Sequence, residues 1–239
     1  MKDLWIAGIS TGPGAATCLL KNDQVVFMHS EQELSGIPDD HRPLLGLLEI
    51  KKYTDHLDCF IQTNYENITE ANQSIYIHLL RKLGLYESIK NLNNCNFKSD
   101  HHKYHAASVF YSSGYDRAGI VVIDRDDAHG DELVSIFKAE YPHDIGLKYV
   151  RKKNDATDIK SNFFLAMKAL QASGSKNLLV SGSAAEDFVS TLDFLDKDTN
   201  IFVDPKNNDS GLAWGAAQYM HKYYNWKHNL PNSEPKRLV

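Results

Sequence analysis

Seven residues near the middle of the chain, Ala118–Asp124 (AGIVVID), constrain its fold more than any other stretch. A short, uninterrupted apolar run rich in β-branched residues is a strand buried on both faces. Such strands belong to sheets covered by helices on each side, which makes this an α/β chain. The run closes on a carboxylate. Strand ends that open onto a cleft are where α/β folds place functional acids. An aspartate there serves equally as a cap or turn residue, and Arg125, Asp126 and Asp127 follow it, so the inward-pointing carboxylate is not singled out.

Other segments fall into place around this strand. Leu4–Ser10, Ala16–Lys21 and Gln24–His29 read as strands, the last two joined by an Asn22-Asp23 hairpin turn. Leu57–Thr63 reads as a further strand, Glu132–Ala139 as a partner for 118–124, and Asn177–Gly182 as another buried strand. Helical spacing marks Leu44–Tyr53, residues 101–113, Asn162–Ala172 and Gly211–Tyr223. It also marks Asn72–Leu83, with Ile75, Leu79, Leu80 and Leu83 on one face. Asn91–Asp100 is polar and loop-like, and the segment after Tyr224 reads as a loose tail. Strands come in two sets, one before about residue 65 and one after about residue 118, which predicts two α/β lobes with a cleft between them.

A net charge of −5 disfavours a non-specific nucleic-acid binder, which needs a basic surface. Cys18, Cys59 and Cys95 are widely spaced and form no CxxC pair, so neither a zinc knuckle nor a disulfide framework is indicated. No apolar run approaches the roughly 20 residues that span a bilayer. The N-terminus carries no leader pattern, and a cytoplasmic protein without a membrane partner is expected.

Four polar features have the makings of a site. Asp100, His101, His102 and His105 stand at the start of a helix, and His101 and His105, four residues apart, share one face within reach of one metal ion. Imidazole pairs at that spacing suit iron, zinc, nickel or manganese, although two ligands do not close a site and helix-start histidines are also ordinary solvated residues. Asp124 is the second feature. Asp209, ahead of Ser210 and Gly211 in NNDSGLAWGAA, is the third, as an N-cap or as a ligand beside a helix N-terminus that favours phosphate. Ser181-Gly182-Ser183-Ala184 is the fourth, as a plain turn or as a place where backbone approaches phosphate.

These segments together resemble the O-carbamoyltransferases of nodulation-factor and aminoglycoside biosynthesis. HHKYHAASVFYSSGYDRAGIVVID (101–124) is similar to that family's HHxxHAASAFYPSGFxxAxxxVxD nearly position for position. AEYPHDIGLKY (139–149), NLLVSGSAAED (177–187) and NIFVDPKNNDSGLAWGAA (200–217) resemble its FPHSLGxLY, NLxxAGGxAxN and FxxPxxGDxGxAxGAA segments, in the same order. IAGISTGPGAATCLLKNDQVV (6–26) looks like ILGIxxGHDASAxLLxDGxIV, and EQELSG (31–36) stands in the place of EERFSR.

The resemblance implies a relative of the transferase that makes threonylcarbamoyl-adenosine in tRNA. It implies two RNase-H-like lobes of the actin and sugar-kinase superfamily, divided here as 1–117, 118–225 and a tail at 226–239, with the site in the interlobe cleft. His101, His105, Asp124 and Asp209 would hold a divalent metal, iron by family analogy. Gly182, Ser183, Asp187, Ser210 and Gly211 would bind ATP or carbamoyl-adenylate, and His102 and His129 would handle protons. The activity implied is carbamoyl transfer to a hydroxyl of a small molecule, sugar or modified nucleotide. The alternative is a non-catalytic metal- or nucleotide-binding subunit of a larger complex.

The departures from the pattern matter. The His and Asp of GHDAS fall on Pro13 and Gly14, and the arginines of EERFSR fall near Glu33 and Gly36. Asp187 stands where a neutral amide is expected, and the EYKVMGLAPYG lysine motif is missing between about residues 150 and 160. No adenylate-forming domain follows Val239, so the resemblance calls for a separate adenylate-forming partner. A homo-oligomer is compatible with all of this.

Overall fold

The computed structural model describes residues 3–64, 70–89, 101–126, 131–154, 157–206, 208–235 and 237. The chain forms two compact units, Met1–Tyr104 with Asp209–Tyr224, and His105–Asn208 with Asn225–Val239.

The first unit is built on β1 (Trp5–Thr11), β2 (Ala16–Lys21), β3 (Gln24–Ser30) and β4 (Cys59–Asn64), in the order β3-β2-β1-β4. β1 and β2, and β2 and β3, pair antiparallel, whereas β4 joins β1 in parallel. The β2–β3 turn is the expected one, with Asn22 at φ 58° and its side-chain oxygen accepting from Leu4 N–H at 3.0 Å. All seven residues of β1 are buried because both faces of the sheet are covered. On one face Ala7, Ile9, Leu19 and Phe60 pack with Leu47 and Ile50 of α2 (Leu44–Ile50) and with Tyr76 and Leu80 of α3 (Glu70–Lys82). The opposite side of β1 meets the long helix that ends the fold: a Cβ on Gly8 would overlap the Ala213 carbonyl oxygen and lie 3.1 Å from Ala217 Cβ. One helix face was expected to turn Ile75 inward, yet Ile75 is 47% exposed. Tyr76 and Leu80, four apart, take the inner positions and rotate Ile75 out.

The second unit carries β5 (Arg117–Asp126), β6 (Asp131–Glu140), β7 (Asp144–Asn154), β8 (Asn177–Ser181) and β9 (Asn200–Val203) in the order β7-β6-β5-β8-β9. β5, β6 and β7 form an antiparallel meander, and β8 and β9 add in parallel beside β5. Val121, Ile123, Val134 and Val180 pack against Leu165, Ala166 and Ala169 of α5 (Ile159–Ser173) and Phe188 of α6 (Ala185–Ser190). Both sheets therefore run as a three-strand meander extended by parallel strands next to its first strand. That is the RNase-H-like order, present twice, and the α/β fold expected from the sequence is the one observed.

Two remaining helices complete the frame, α4 (His101–Ser113) and α7 (Ser210–Lys227), with the short α1 (Glu31–Ser35) after β3. The units divide the chain differently from boundaries at 117 and 225. α7 returns to the first unit because its small residues fit against Gly8, and the first turn of α4 stays with that unit too. Nor are the described residues after Tyr224 without contacts. Tyr141 Oη donates to the Ser233 carbonyl, Asn225 Nδ2 donates to the Pro231 carbonyl at 3.2 Å, and Trp226 lies 4.6 Å from the His143 ring, centroid to centroid. Cys18 and Cys59 are buried, and Asn91–Asp100, Cys95 included, lies outside the described residues. No helix among the described residues is long and apolar enough to cross a membrane.

Candidate metal centre

Two histidine–aspartate pairs involve α4. In the first, His101 Nε2 lies 3.7 Å from Asp209 Oδ1, with the two side chains 14% and 18% exposed. In the second, His105 Nε2 lies 3.4 Å from Asp124 Oδ2, and the imidazole is fully buried. α4 carries both histidines one turn apart, so the pairs share a helix face. One ligand atom from each of the four residues can be chosen so that all lie within 4.8 Å of one another.

The donor set can be compared with a metal's geometry. Bonds of about 2.1 Å separate neighbouring ligand atoms by about 3.4 Å in a tetrahedron and by about 3.0 Å in an octahedron. The His105–Asp124 distance of 3.4 Å matches the tetrahedral spacing, and the His101–Asp209 distance of 3.7 Å is slightly wider. Two neutral imidazoles with two carboxylates form a mixed N/O set suited to first-row divalent ions.

Local structure explains how each carboxylate is held. β5 and β8 run in parallel up to the Val122–Ser181 partners, and the chain then turns at Gly182 with φ 103°. Only glycine fits there, since a Cβ would overlap the Ile123 carbonyl oxygen and sit 2.8 Å from Asp124 Oδ1. This close approach lets Ser183 N–H donate to Asp124 Oδ1 at 2.8 Å, while Oδ2 faces His105. Ser183 Oγ in turn accepts from Arg125 N–H at 2.9 Å. Asp209 precedes α7 and its carbonyl accepts from Leu212 N–H at 3.2 Å, so its backbone starts the helix while its carboxylate faces His101. The β1–β2 turn abuts it: Gly14 leaves only 3.0 Å between a built Cβ and Asp209 Cβ.

The other expected site residues are placed as follows. His102, 9% exposed, has its ring tilted against that of His101 at 5.8 Å between centroids. Adjacent helix positions point about 100° apart, so His102 stands beside the four donors and not among them. Gly182 and Ser183 are engaged in holding Asp124. Asp187 pairs with Arg125 at an exposed position. Ser210 and Gly211 form the first turn of α7, Gly211 buried and Ser210 half-buried. His129 lies outside the described residues.

Among the described residues, three buried acids, Glu31, Asp58 and Asp204, escaped the sequence reading. Glu31, 1% exposed, accepts from Leu45 N–H at 2.5 Å and Gly46 N–H at 3.0 Å, so its carboxylate caps the start of α2. Burial pushes its carboxyl above the ordinary range, against the pull of those backbone donors. Asp204, also 1% exposed, follows β9 and accepts from Ser181 Oγ at 3.2 Å and Lys206 N–H at 3.0 Å. Burial raises its carboxyl too, opposed by the Ser108 hydroxyl, the Lys206 amide, the charge of His105 and the Ser181 hydroxyl. A signal for Asp204 was present, because IFVD (201–204) repeats in miniature the apolar-strand-then-aspartate pattern of AGIVVID.

No protein-family model matches the chain, and no curated protein matches it. Solved structures align over nearly its whole length at low identity. YeaZ from Pseudomonas aeruginosa is 11% identical over 94% of each chain, with a TM-score of 0.48. The activator of the 2-hydroxyisocaproyl-CoA dehydratase from Clostridium difficile, solved with bound ADPNP, is 13% identical over 96% of this chain and 99% of its own, with a TM-score of 0.48. A putative sugar kinase from Cytophaga hutchinsonii is 12% identical over 90% of this chain and 99% of its own, with a TM-score of 0.41. Likeness at this level says nothing about activity.

Proposed function

We propose that this chain is a metal-dependent carbamoyltransferase that moves a carbamoyl group from carbamoyl-adenylate to a hydroxyl. The observation that carries the proposal is the pairing of both α4 histidines with carboxylates from β5 and from the start of α7, at the positions that HHKYHAASVFYSSGYDRAGIVVID and NNDSGLAWGAA mark in the resemblance. His101, His105, Asp124 and Asp209 would hold one divalent ion, and iron is the metal that the resemblance favours. When bound, that ion supplies Lewis-acid polarisation of the donor's oxygens.

The chain's own groups have defined tasks. Ser210 and Gly211 stand in the first turn of α7, and a helix N-terminus suits the adenylate phosphate. Gly182 and Ser183 act at one remove, by fixing Asp124. In the transfer itself the acceptor oxygen bonds to the carbamoyl carbon, the bond from that carbon to the adenylate oxygen breaks, and AMP leaves. The hydroxyl proton passes to a base, for which His102, its ring 5.8 Å from that of His101, is the candidate.

A second reading, a metal- or nucleotide-binding subunit without turnover, is favoured by Pro13 in place of the family's proton-handling histidine and by the engagement of Asp187 with Arg125. One experiment separates the two. Protein purified without oxygen is analysed for iron, zinc, manganese and nickel, then incubated with carbamoyl phosphate, ATP, an adenylate-forming partner and a panel of hydroxyl acceptors, with products read by mass spectrometry. One metal per chain, lost in His105→Ala and Asp209→Ala, together with a carbamoylated product, supports the transferase. Metal without any product favours the subunit. A metal-free protein that resists reconstitution overturns the transferase, and if ATP also leaves its melting temperature unchanged it overturns the subunit as well.

A further inference from the structure

α5 is apolar on two faces. On its inner face Leu165, Ala166 and Ala169 pack with Val121, Ile123 and Val180 in the core of the second unit. Its outer face carries Ile159, Phe163, Phe164 and Met167, which are 49%, 40%, 50% and 45% exposed. Phe163 and Phe164 stand four and three residues before Met167, so the three share one crest of the helix. A helix that is apolar all round is normally covered on both sides. Single exposed apolar residues are ordinary on a protein surface, but four along one helix face form a patch.

Charge narrows what can cover it. α5 contains no carboxylate, and the exposed polar residues at the two ends of the crest are Lys160 and Gln171. Lys168 is turned aside, its ammonium 3.8 Å from the centre of the Tyr149 ring and 4.8 Å from that of Phe164. A helix that lies on a membrane carries a polar face rich in Lys and Arg, and one cation on the crest is too few. A two-fold axis across α5 would lay the helix antiparallel on its own copy, with Lys160 toward Gln171 of the partner subunit. No like charges then meet, whereas a parallel arrangement would face Lys160 with itself. Side chains of this size, about half exposed, offer roughly 350 Å² of apolar surface per copy, or about 700 Å² in a pair. A standard interface of about 1,600 Å² is a little over half apolar, about 900 Å², so the crest supplies most of what a stable dimer needs.

We propose that the outer face of α5 is a self-association surface, on which a second copy of this chain packs antiparallel about a two-fold axis. Phe163, Phe164 and Met167 form its centre. The inference is independent of the metal centre and of the transfer reading.

Sedimentation velocity on the full-length protein, from low micromolar to several hundred micromolar, is expected to show a concentration-dependent monomer–dimer equilibrium. Phe164→Glu and Met167→Glu should each weaken the dimer about 30-fold or more, because they bury an unpaired charge at its centre. Gln171→Glu should tighten it about two- to tenfold, since each new carboxylate meets Lys160 of the partner subunit, and Gln171→Lys should weaken it to a similar degree. All these positions are exposed, so melting temperatures of the dilute monomers should stay near wild type, and Phe164→Ser replaces any variant that fails to fold. A chain that stays monomeric throughout, or a dimer that ignores all four substitutions, overturns the proposal. A dimer that Gln171→Glu weakens as much as Gln171→Lys overturns the antiparallel arrangement. Monomer that binds phosphatidylcholine–phosphatidylserine vesicles, with binding lost in Phe164→Glu, gives the patch to a membrane and overturns the proposal too.

Discussion

Replacing Gly182 with alanine probes fold and site at one atom. Its φ of 103° is strained for any L side chain, at about 1–3 kcal/mol. The added Cβ overlaps the Ile123 carbonyl oxygen and lies 2.8 Å from Asp124 Oδ1, so backbone on the β5 side must yield, an overpacking cost of about 1–3 kcal/mol. The expected loss is about 2–5 kcal/mol. Gly174→Ala is the internal control. That residue also has positive φ, 62°, as the C-cap of α5, but nothing lies within 4 Å of its would-be Cβ, so only about 1–2 kcal/mol is expected. Urea unfolding midpoints of both variants, compared at constant m, separate the conformational cost from the clash. Because the clash falls on Asp124, Gly182→Ala should also weaken Co(II) binding, and Gly174→Ala should not. Equal destabilisation by the two substitutions, with Co(II) affinity unchanged in both, would refute the claim that Gly182 exists to admit Asp124.

Burial on α7 depresses His221 to about 4, with Lys222 adding to the shift and Asp23 opposing it. The folded chain then holds His221 neutral while the unfolded chain protonates near 6.5, so stability is full above that pH and is lost as pH falls toward 4, by about 3 kcal/mol. His221→Gln should flatten that part of the stability–pH curve, and an identical curve would refute the assignment. Glu31→Ala removes the acceptors of the Leu45 and Gly46 amides at the start of α2 and should cost about 1–3 kcal/mol, read by urea unfolding at neutral pH. Pro13 occupies an exposed position in the β1–β2 turn, next to the Gly14 that abuts Asp209, and under the proposed function Pro13→His is expected to raise carbamoyl transfer by about 10²–10⁴-fold. A rate that does not rise, in a variant with its metal bound, counts against a proton-handling role at this turn.

Much of the frame is legible in the sequence because burial on both faces writes itself as apolar runs. Leu4–Ser10, Ala118–Asp124 and Asn177–Gly182 lie within two residues of β1, the apolar part of β5, and β8, and Glu132–Ala139 pairs with β5 as expected. β7 was not assigned, for the reason that makes it an edge strand. Leu147 and Val150 are exposed, and Lys148 and Arg151 interrupt the alternation that a half-buried strand would show. β9, at four residues, is too short for periodicity to register.

The candidate site divides along a different line. His101 and His105 are visible because helical spacing is local, and Asp124 because it terminates a strand; Asp209 is visible only through the resemblance and the turn ahead of α7. What no local pattern carries is which groups support the donors. Ser183 reaches Asp124 only because Gly182 lets β8's end close on β5, and Ser181 reaches Asp204 only because β9 adds in parallel next to β8. Those contacts depend on strand order, which a single sequence states nowhere. Substitution at Gly182 should therefore change metal affinity without touching a donor. By contrast, changing Asp187, exposed and paired with Arg125, should leave Co(II) affinity within about twofold, since surface ion pairs contribute about 0–1 kcal/mol. A large loss of Co(II) binding in Asp187→Asn would mean that the Arg125 pair, too, belongs to the support of Asp124.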